Sequence, residues 1–189
     1  MCNAVAEDIV SGPADLVINK FDLTGENEIA GAKLTITGTT DAGKAVSMDW
    51  TSKENETWNI SLDDGVYTLS ETGDVIVTDD GVFDVIPSSL NFTVKNGKVT
   101  DVKTDNGADI SKDGFNKNAD AGYFTVGTNA DKAEVINICD AKRTNVKLSK
   151  QSTGGDEIAD AMLTLKGVDA SGKAISFENV TFADRKSVV

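Results

Sequence analysis

The chain has 189 residues and a formal net charge of −13, so it has room for one ordinary domain plus part of another and is poorly suited to binding nucleic acid or anionic lipid. Hydrophobic residues make up 39% of the sequence without any stretch long enough to span a membrane, and we expect a soluble, globular protein. Histidine is absent, which removes the usual general base and the commonest transition-metal ligand. Most hydrolase active sites are thereby excluded, and we expect no enzyme with turnover, no metal site and no cofactor.

Residues 1–14 form the first segment, which we interpret as an N-terminal tail. The segment has neither a basic leader nor an apolar stretch, so it is not a secretory signal, and we expect any export signal to lie outside this chain. Its Cys2 could form a disulfide with the distant Cys139, although we expect two free thiols. The spacing of the two cysteines does not match a metal site.

The rest of the chain reads as all-β, because threonine, valine, isoleucine and glycine dominate, prolines number two and no helical stripe is sustained. The candidate strands are residues 15–22, 32–39, 44–50, 57–62, 65–71, 90–96, 98–104, 123–128 and 133–141. The clearest hairpin is "VKNGKV", where Asn96 and Gly97 suit the positive φ angles of a two-residue turn.

An internal repeat defines the domain organisation. The stretch "LVINKFDLTGENEIAGAKLTITG" returns as "VKLSKQSTGGDEIADAMLTLKG" with a single-residue deletion, so Lys20 corresponds to Lys150. We expect one complete domain over residues 15–141, the short junction "AKRT", and an incomplete second copy over residues 145–189.

In three strands of the first domain, alternate residues that face inward are apolar, and the next inward-facing position carries an ionisable residue. The three sets are Leu16, Ile18 and Lys20; Tyr67, Leu69 and Glu71; and Ile136, Ile138 and Asp140. Ions buried singly lose several kcal/mol of hydration, so these three are expected to meet in the core. There a neutral lysine amine can attack the aspartate Cγ while the glutamate moves protons, and loss of water leaves an amide.

At these residues the sequence resembles the B-type repeats of Gram-positive collagen adhesins and the SpaA-like pilin domains. The resemblance rests on "INKFD" with "IAGAKLTITG", "DGVYTLSE", "LNFTVKNGKV" and "INICDAK". It implies an Ig-like or prealbumin-like β-sandwich with a self-made isopeptide bond between Lys20 and Asp140, promoted by Glu71. The chain departs from the family at "ETGDVIVTDDGVF", where many relatives have "E-x-A-P-x-G-Y", and in a long segment before the last strand.

Other residues offer alternative interpretations. Asn91 and Asn137 are rival acceptors, although both are out of phase with their apolar neighbours. A calcium loop through Asn116, Asn118 and Asp120 lacks the required glycine and glutamate, so a solvated loop is preferred. Lys150 should be unreacted, because its glutamate and acceptor strands are missing from the second copy.

The function expected from this pattern is a structural stalk or spacer of an extracellular adhesin or pilin-like protein at the bacterial cell surface or cell wall. Its partners would be neighbouring repeats of the same protein. The alternative is a ligand-binding adhesin module that recognises a host protein or glycan through the long loop and its aromatics. That alternative predicts an exposed aromatic cluster or a concave patch around Trp50, Trp58, Phe115 and Tyr123.

Overall fold

The computed structural model describes residues 12–105, 108–111, 121–143, 147–148, 150–156, 158–168, 174–181 and 187–188. The chain divides into two compact units, Met1–Lys142 and Arg143–Val189, called unit 1 and unit 2 below. Its described residues form strands, turns and bends without a helix, so the all-β prediction is confirmed. In this part of the chain no helix is long and apolar enough to cross a membrane.

Eleven strands belong to unit 1 and four to unit 2, counting only described residues. In unit 1 they are β1 (Ala14–Asp22), β2 (Lys33–Thr40), β3 (Ala45–Thr51), β4 (Trp58–Leu62), β5 (Gly65–Thr72), β6 (Val75–Thr78), β7 (Gly81–Asp84), β8 (Leu90–Lys95), β9 (Lys98–Thr104), β10 (Gly122–Thr128) and β11 (Glu134–Asp140). In unit 2 they are β12 (Lys147–Leu148), β13 (Met162–Val168), β14 (Ala174–Thr181) and β15 (Ser187–Val188).

Two sheets of unit 1 form a β-sandwich. One has the strand order β10-β11-β1-β4 and the other the order β3-β2-β5-β8-β9. Alternate residues of each sheet face a shared core that includes Leu16 and Ile136 from the first sheet and Ile36, Leu69 and Phe92 from the second. The first strand of the unit lies parallel to its last strand, with β1 and β11 paired over seven residues. The first and last strands of the unit are therefore neighbours in the same sheet, and because they run in the same direction the chain enters β1 at one end of the sheet and leaves β11 at the other.

The nine strands that the sequence predicts in unit 1 are all present, with ends shifted by a residue or so. The hairpin at "VKNGKV" is confirmed, since β8 pairs with β9 and Asn96 and Gly97 have φ angles of 54° and 70°. Sequence reasoning missed β6 and β7, an antiparallel hairpin that occupies most of the stretch "ETGDVIVTDDGVF" and ends one residue after it. Its Ile76 and Phe83 pack with Ile29 and Ala32 in a second, smaller core.

Unit 2 contains two small antiparallel sheets in its described residues, β12 with β15 and β13 with β14. Leu148 is at the repeat position of Ile18 and pairs with Ser187, whereas Ile18 pairs with Trp58 in unit 1; the final residues "ADRKSVV" do not match the first copy in sequence. The tip of the β13–β14 hairpin matches the tip of β2–β3 before a bulge shifts the register. That unit 2 is an incomplete second copy stays a prediction.

Candidate functional site

The three ionisable residues singled out in the sequence meet at one end of the sandwich core. Lys20 lies on β1 and Asp140 is the last residue of the parallel neighbour β11. Lys20 is in register with Ile138, so Asp140 is one inward-facing position further along the adjacent strand. Glu71 comes from β5 in the facing sheet. Two strands of one sheet and one strand of the other thus deliver the three side chains to the same place.

Their polar atoms are in direct contact. The Lys20 Nζ atom lies 3.1 Å from Glu71 Oε1 and 3.2 Å from Glu71 Oε2, and it also contacts Asp140 Oδ1. The three side chains are sealed from solvent, with exposed fractions of 1% for Lys20, 2% for Glu71 and 0% for Asp140. The amine therefore touches both carboxyl groups in a site that water does not reach.

Burial determines the charge state of Asp140, the predicted acceptor. Removing the Asp140 carboxyl from water raises its pKa from the ordinary 3.8 to about 8; the Lys20 ammonium opposes the shift and the Glu71 carboxylate adds to it. At neutral pH the neutral acid is therefore the favoured form of Asp140. A neutral carboxylic acid is a far better electrophile than a carboxylate, because its carbonyl carbon is not masked by negative charge.

A main-chain group that has no sequence signature holds the third residue. The amide N–H of Ile86 donates a hydrogen bond to Glu71 Oε2 at 3.3 Å, and the Ile86 side chain is buried in the main core. Because backbone donors are identical at every non-proline position, only the fold could reveal this contact. It fixes one oxygen of Glu71 while Lys20 lies beside both.

The two rival acceptors lie elsewhere. Asn137 accepts a hydrogen bond from the side chain of Asn19 at 2.8 Å and donates one to Thr125 at 2.8 Å, forming a ladder across β1, β11 and β10. Asn91 accepts one from Thr68 at 2.8 Å. Both asparagines alternate with core residues on their strands, so they face away from Lys20, as the phase of the sequence predicts.

The remaining candidates fall outside the site. Lys150 is exposed in unit 2. Cys139 is a free, buried thiol, and its pKa is raised by burial, whereas Cys2 lies outside the described residues. The suggested calcium loop, Asn116, Asn118 and Asp120, also lies outside them. In the part of the chain that is described, no group of three or more acidic or cysteine side chains could hold a metal ion.

The aromatic residues behave as ordinary strand residues where they are described. Trp50 on β3 and Trp58 on β4 are half-buried and stack on each other, with ring centroids 5.9 Å apart and planes inclined by 16°. Tyr123 is buried, and its hydroxyl donates to the carbonyl oxygen of Leu23 at 2.9 Å. Phe115 lies outside the described residues. The three described aromatics thus do not form the exposed cluster that the ligand-binding alternative predicts.

Comparisons with known proteins add resemblances of fold. No protein-family model matches the sequence, and no match is found among curated proteins. Among solved structures the chain is similar to the pilus adhesin RrgA from Streptococcus pneumoniae, with 14% identity and a TM-score of 0.43 over 70% of this chain and 16% of that one. It is also similar to a C-terminal fragment of the pilus adhesin SpaC from Lactobacillus rhamnosus GG, with 14% identity and a TM-score of 0.43 over 94% of this chain and 69% of the fragment.

A third similar structure is the pilus-presented adhesin Cpa, with 18% identity and a TM-score of 0.38. The match covers 77% of this chain and 38% of that one. This chain therefore spans less than two fifths of Cpa and about a sixth of RrgA. Identities and TM-scores of this size do not identify a function, so the proposal below depends on the site.

Proposed function

We propose that this chain is a structural module of a bacterial cell-surface adhesin or pilin-like protein, and that unit 1 locks itself with an isopeptide bond between Lys20 and Asp140. The observation that carries the proposal is the contact of Lys20 Nζ with the buried Asp140 carboxyl while Glu71 lies 3.1 Å from the same nitrogen. A purely structural ion pair requires one cation and one anion, whereas here two carboxyl groups surround one amine, and the pKa of Asp140 is raised to about 8.

The bond forms in one turnover. Glu71 takes a proton from the Lys20 ammonium, and the free amine attacks Cγ of the neutral Asp140 acid to form the new C–N bond. Protons then pass through Glu71 to the departing hydroxyl, the C–O bond breaks and water leaves. The ammonium and the acid become an amide, one water and one proton, and the proton remains on Glu71 until it reaches solvent. The fold supplies proximity in place of an external catalyst.

The position of the bond suits a load-bearing module. It joins the first and last strands of unit 1, which are parallel neighbours, so tension applied between the start of β1 and the end of β11 would run along β1 to Lys20 and cross to Asp140 through the amide. Closing a loop of 120 residues (140 minus 20) would stabilise the fold by about 5 kcal/mol if loop entropy is treated as for a disulfide. Unlike a disulfide, the amide is insensitive to reductant.

The mass of the intact protein tests the proposal. The folded wild-type chain is expected to weigh one water less than its sequence, whereas Lys20→Met, Asp140→Ala and Glu71→Gln should keep the full mass. Asn137→Ala is the matched control. It removes a rival acceptor on the same strand as Asp140, β11, and the variant should still lose one water. A folded wild-type chain of full mass would refute the bond, and a loss of ammonia would move the acceptor to an asparagine.

A further inference from the structure

The segment from Val75 to Ile86, called the clasp below, contacts Glu71, the residue that follows Asp140, and Ile29, which is hydrogen-bonded to Lys20. It comprises the β6–β7 hairpin and the two residues that follow it. At its end, the N–H of Ile86 donates to Glu71 Oε2 at 3.3 Å. At the end of β7, the N–H of Asp84 donates to the carbonyl oxygen of Ala141 at 2.9 Å, one residue beyond the acceptor.

The clasp continues along the exit of β11 through Lys142. Phe83 and Lys142 form an antiparallel bridge, and the Lys142 ammonium lies 6.0 Å from the centre of the Phe83 ring. The Lys142 chain also covers Gly81, where an added Cβ would come within 2.6 Å of Lys142 Cε. The residues immediately after Asp140 are thus held in place by β7, the second strand of the hairpin.

The other side of the clasp packs toward Lys20. Ile76 and Phe83 are each 5% exposed and form the second core with Ile29 and Ala32. The N–H of Ile29 in turn donates to the carbonyl oxygen of Lys20 at 3.0 Å. The clasp is therefore hydrogen-bonded directly to Glu71 and to the residue after Asp140, and it reaches Lys20 in two steps, by packing on Ile29 and through the hydrogen bond of Ile29 to Lys20.

From these contacts we infer that the clasp positions Glu71 and Asp140 for bond formation and keeps water out of the site, acting as a lid that must dock before Lys20 can react. The inference rests on the proposed function. Ile86 is the positioning residue and acts through its main-chain N–H. The side chains of Ile76 and Phe83 hold the clasp in place by packing on Ile29 and Ala32. Ile86 belongs to the sandwich core, but Ile76 and Phe83 belong to the separate second core, so the sandwich can assemble with the β6–β7 hairpin of the clasp undocked.

The test compares two neighbouring residues of β6 that face opposite ways. Ile76 is 5% exposed and Val77 is 73% exposed, so Ile76→Ala loosens the clasp while Val77→Ala is its matched control. Each chain is refolded from urea-solubilised, unreacted protein. Tryptophan fluorescence from Trp50 and Trp58 reports the folding of the sandwich, and intact mass reports the loss of water over time.

Ile76→Ala is expected to recover the folded fluorescence yet lose water about tenfold more slowly, because small misplacements of reacting groups cost large factors in rate. Val77→Ala should match the wild type. Phe83→Leu provides a milder second variant if Ile76→Ala does not fold, and it should be slowed less. Equal rates of water loss in all folded variants would overturn the inferred role of the clasp. Absence of water loss in the wild type and in Val77→Ala would overturn the proposed function itself.

The pH dependence of the bonding rate distinguishes a loss of positioning in the site from a loss of stability. The charged groups that face Asp140 are Lys20 from β1 and Glu71 from β5, and burial is the largest cause of its raised pKa. Water entering beneath an undocked clasp would lower that pKa, so the bonding rate of Ile76→Ala should begin to fall at a lower pH than that of the wild type. A rate reduced by the same factor at every pH would contradict the water-excluding role.

Discussion

At the scale of single residues, the site shows how a costly burial becomes useful. A lysine and two carboxyl groups in a sealed core lose much of their hydration, and ion pairing offsets that loss only in part. Asp140 avoids most of the cost by keeping its proton, as its raised pKa requires. The same neutral acid is the form that an amine can attack. Burial therefore disfavours an ionised Asp140 and favours the reaction that removes the carboxyl group altogether.

A pH prediction follows for the unbonded fold. In Lys20→Met the bond cannot form and the cation that lowers the pKa of Asp140 is gone, so that pKa stays above its unfolded value of 3.8. The native state then binds a proton that the unfolded chain releases, so this contribution to stability is fully present below pH 3.8 and is lost as pH rises through the folded pKa. Urea denaturation between pH 4 and 8 should show a falling free energy of unfolding.

The control for this prediction is the double variant Lys20→Met with Asp140→Asn, which has no titrating group at the acceptor position. Its free energy of unfolding should change less over the same pH range. Parallel pH dependences in the two variants would show that Asp140 is not the group responsible.

A second residue-scale prediction concerns Gly122, which is in register with Asp140 on the neighbouring strand β10. A Cβ at this position would lie 2.1 Å from the carbonyl oxygen of Cys139 and 2.7 Å from Ile86 Cδ1. Gly127 on the same strand has no atom within 4 Å of a Cβ. Gly122→Ala should therefore destabilise unit 1 by about 1–3 kcal/mol or more, and Gly127→Ala by much less.

Chemical denaturation of the two glycine variants measures this difference. Similar stabilities would mean that β10 can move away from Asp140 without cost, which would contradict close packing around the acceptor.

At the scale of elements, the sequence predicts strand identity and inward phase well, because side chains alternate with period two wherever one face is buried. Lys20, Glu71 and Asp140 could be selected on that basis. The parallel pairing of β1 with β11 could not be derived from local pattern, since nothing within either strand specifies a partner more than 100 residues away.

The β6–β7 hairpin and the Ile86 amide were missed for different physical reasons. The hairpin strands have four residues each, and their alternation is short enough to resemble a loop rich in turn formers. A signal was present, since "VIVT" and "GVFD" flank the turn residues Asp79 and Asp80. Ile86 acts through its main chain, and its side chain indicates only that it is buried.

At the scale of the whole chain, the two units differ in the size of the sheets that can protect them from proteolysis. Unit 1 has sheets of four and five strands around a shared core, whereas the described part of unit 2 has only two-stranded sheets. Two-stranded ribbons are marginally stable alone. Limited proteolysis should therefore remove residues beyond about 141–143 first and leave a fragment in which Lys20 and Asp140 are still joined.

Mass spectrometry of the protease-resistant fragment checks this prediction, because the fragment should carry the same deficit of one water as the intact chain. If the region after Lys142 survives as long as unit 1 does, then unit 2 has a stabilising partner that its two-stranded sheets do not provide.

Peptide mapping of the folded wild-type protein tests the central claim most directly, because loss of water alone could also arise by cyclisation of an aspartate on its own backbone. After tryptic digestion, Lys20 should resist cleavage, and fragmentation should place its Nζ on Cγ of Asp140 in a branched peptide that joins β1 to β11. Glu71→Gln should yield the two peptides separately. Recovery of unlinked, unmodified peptides containing Lys20 and Asp140 from the folded wild-type chain would contradict the proposed bond.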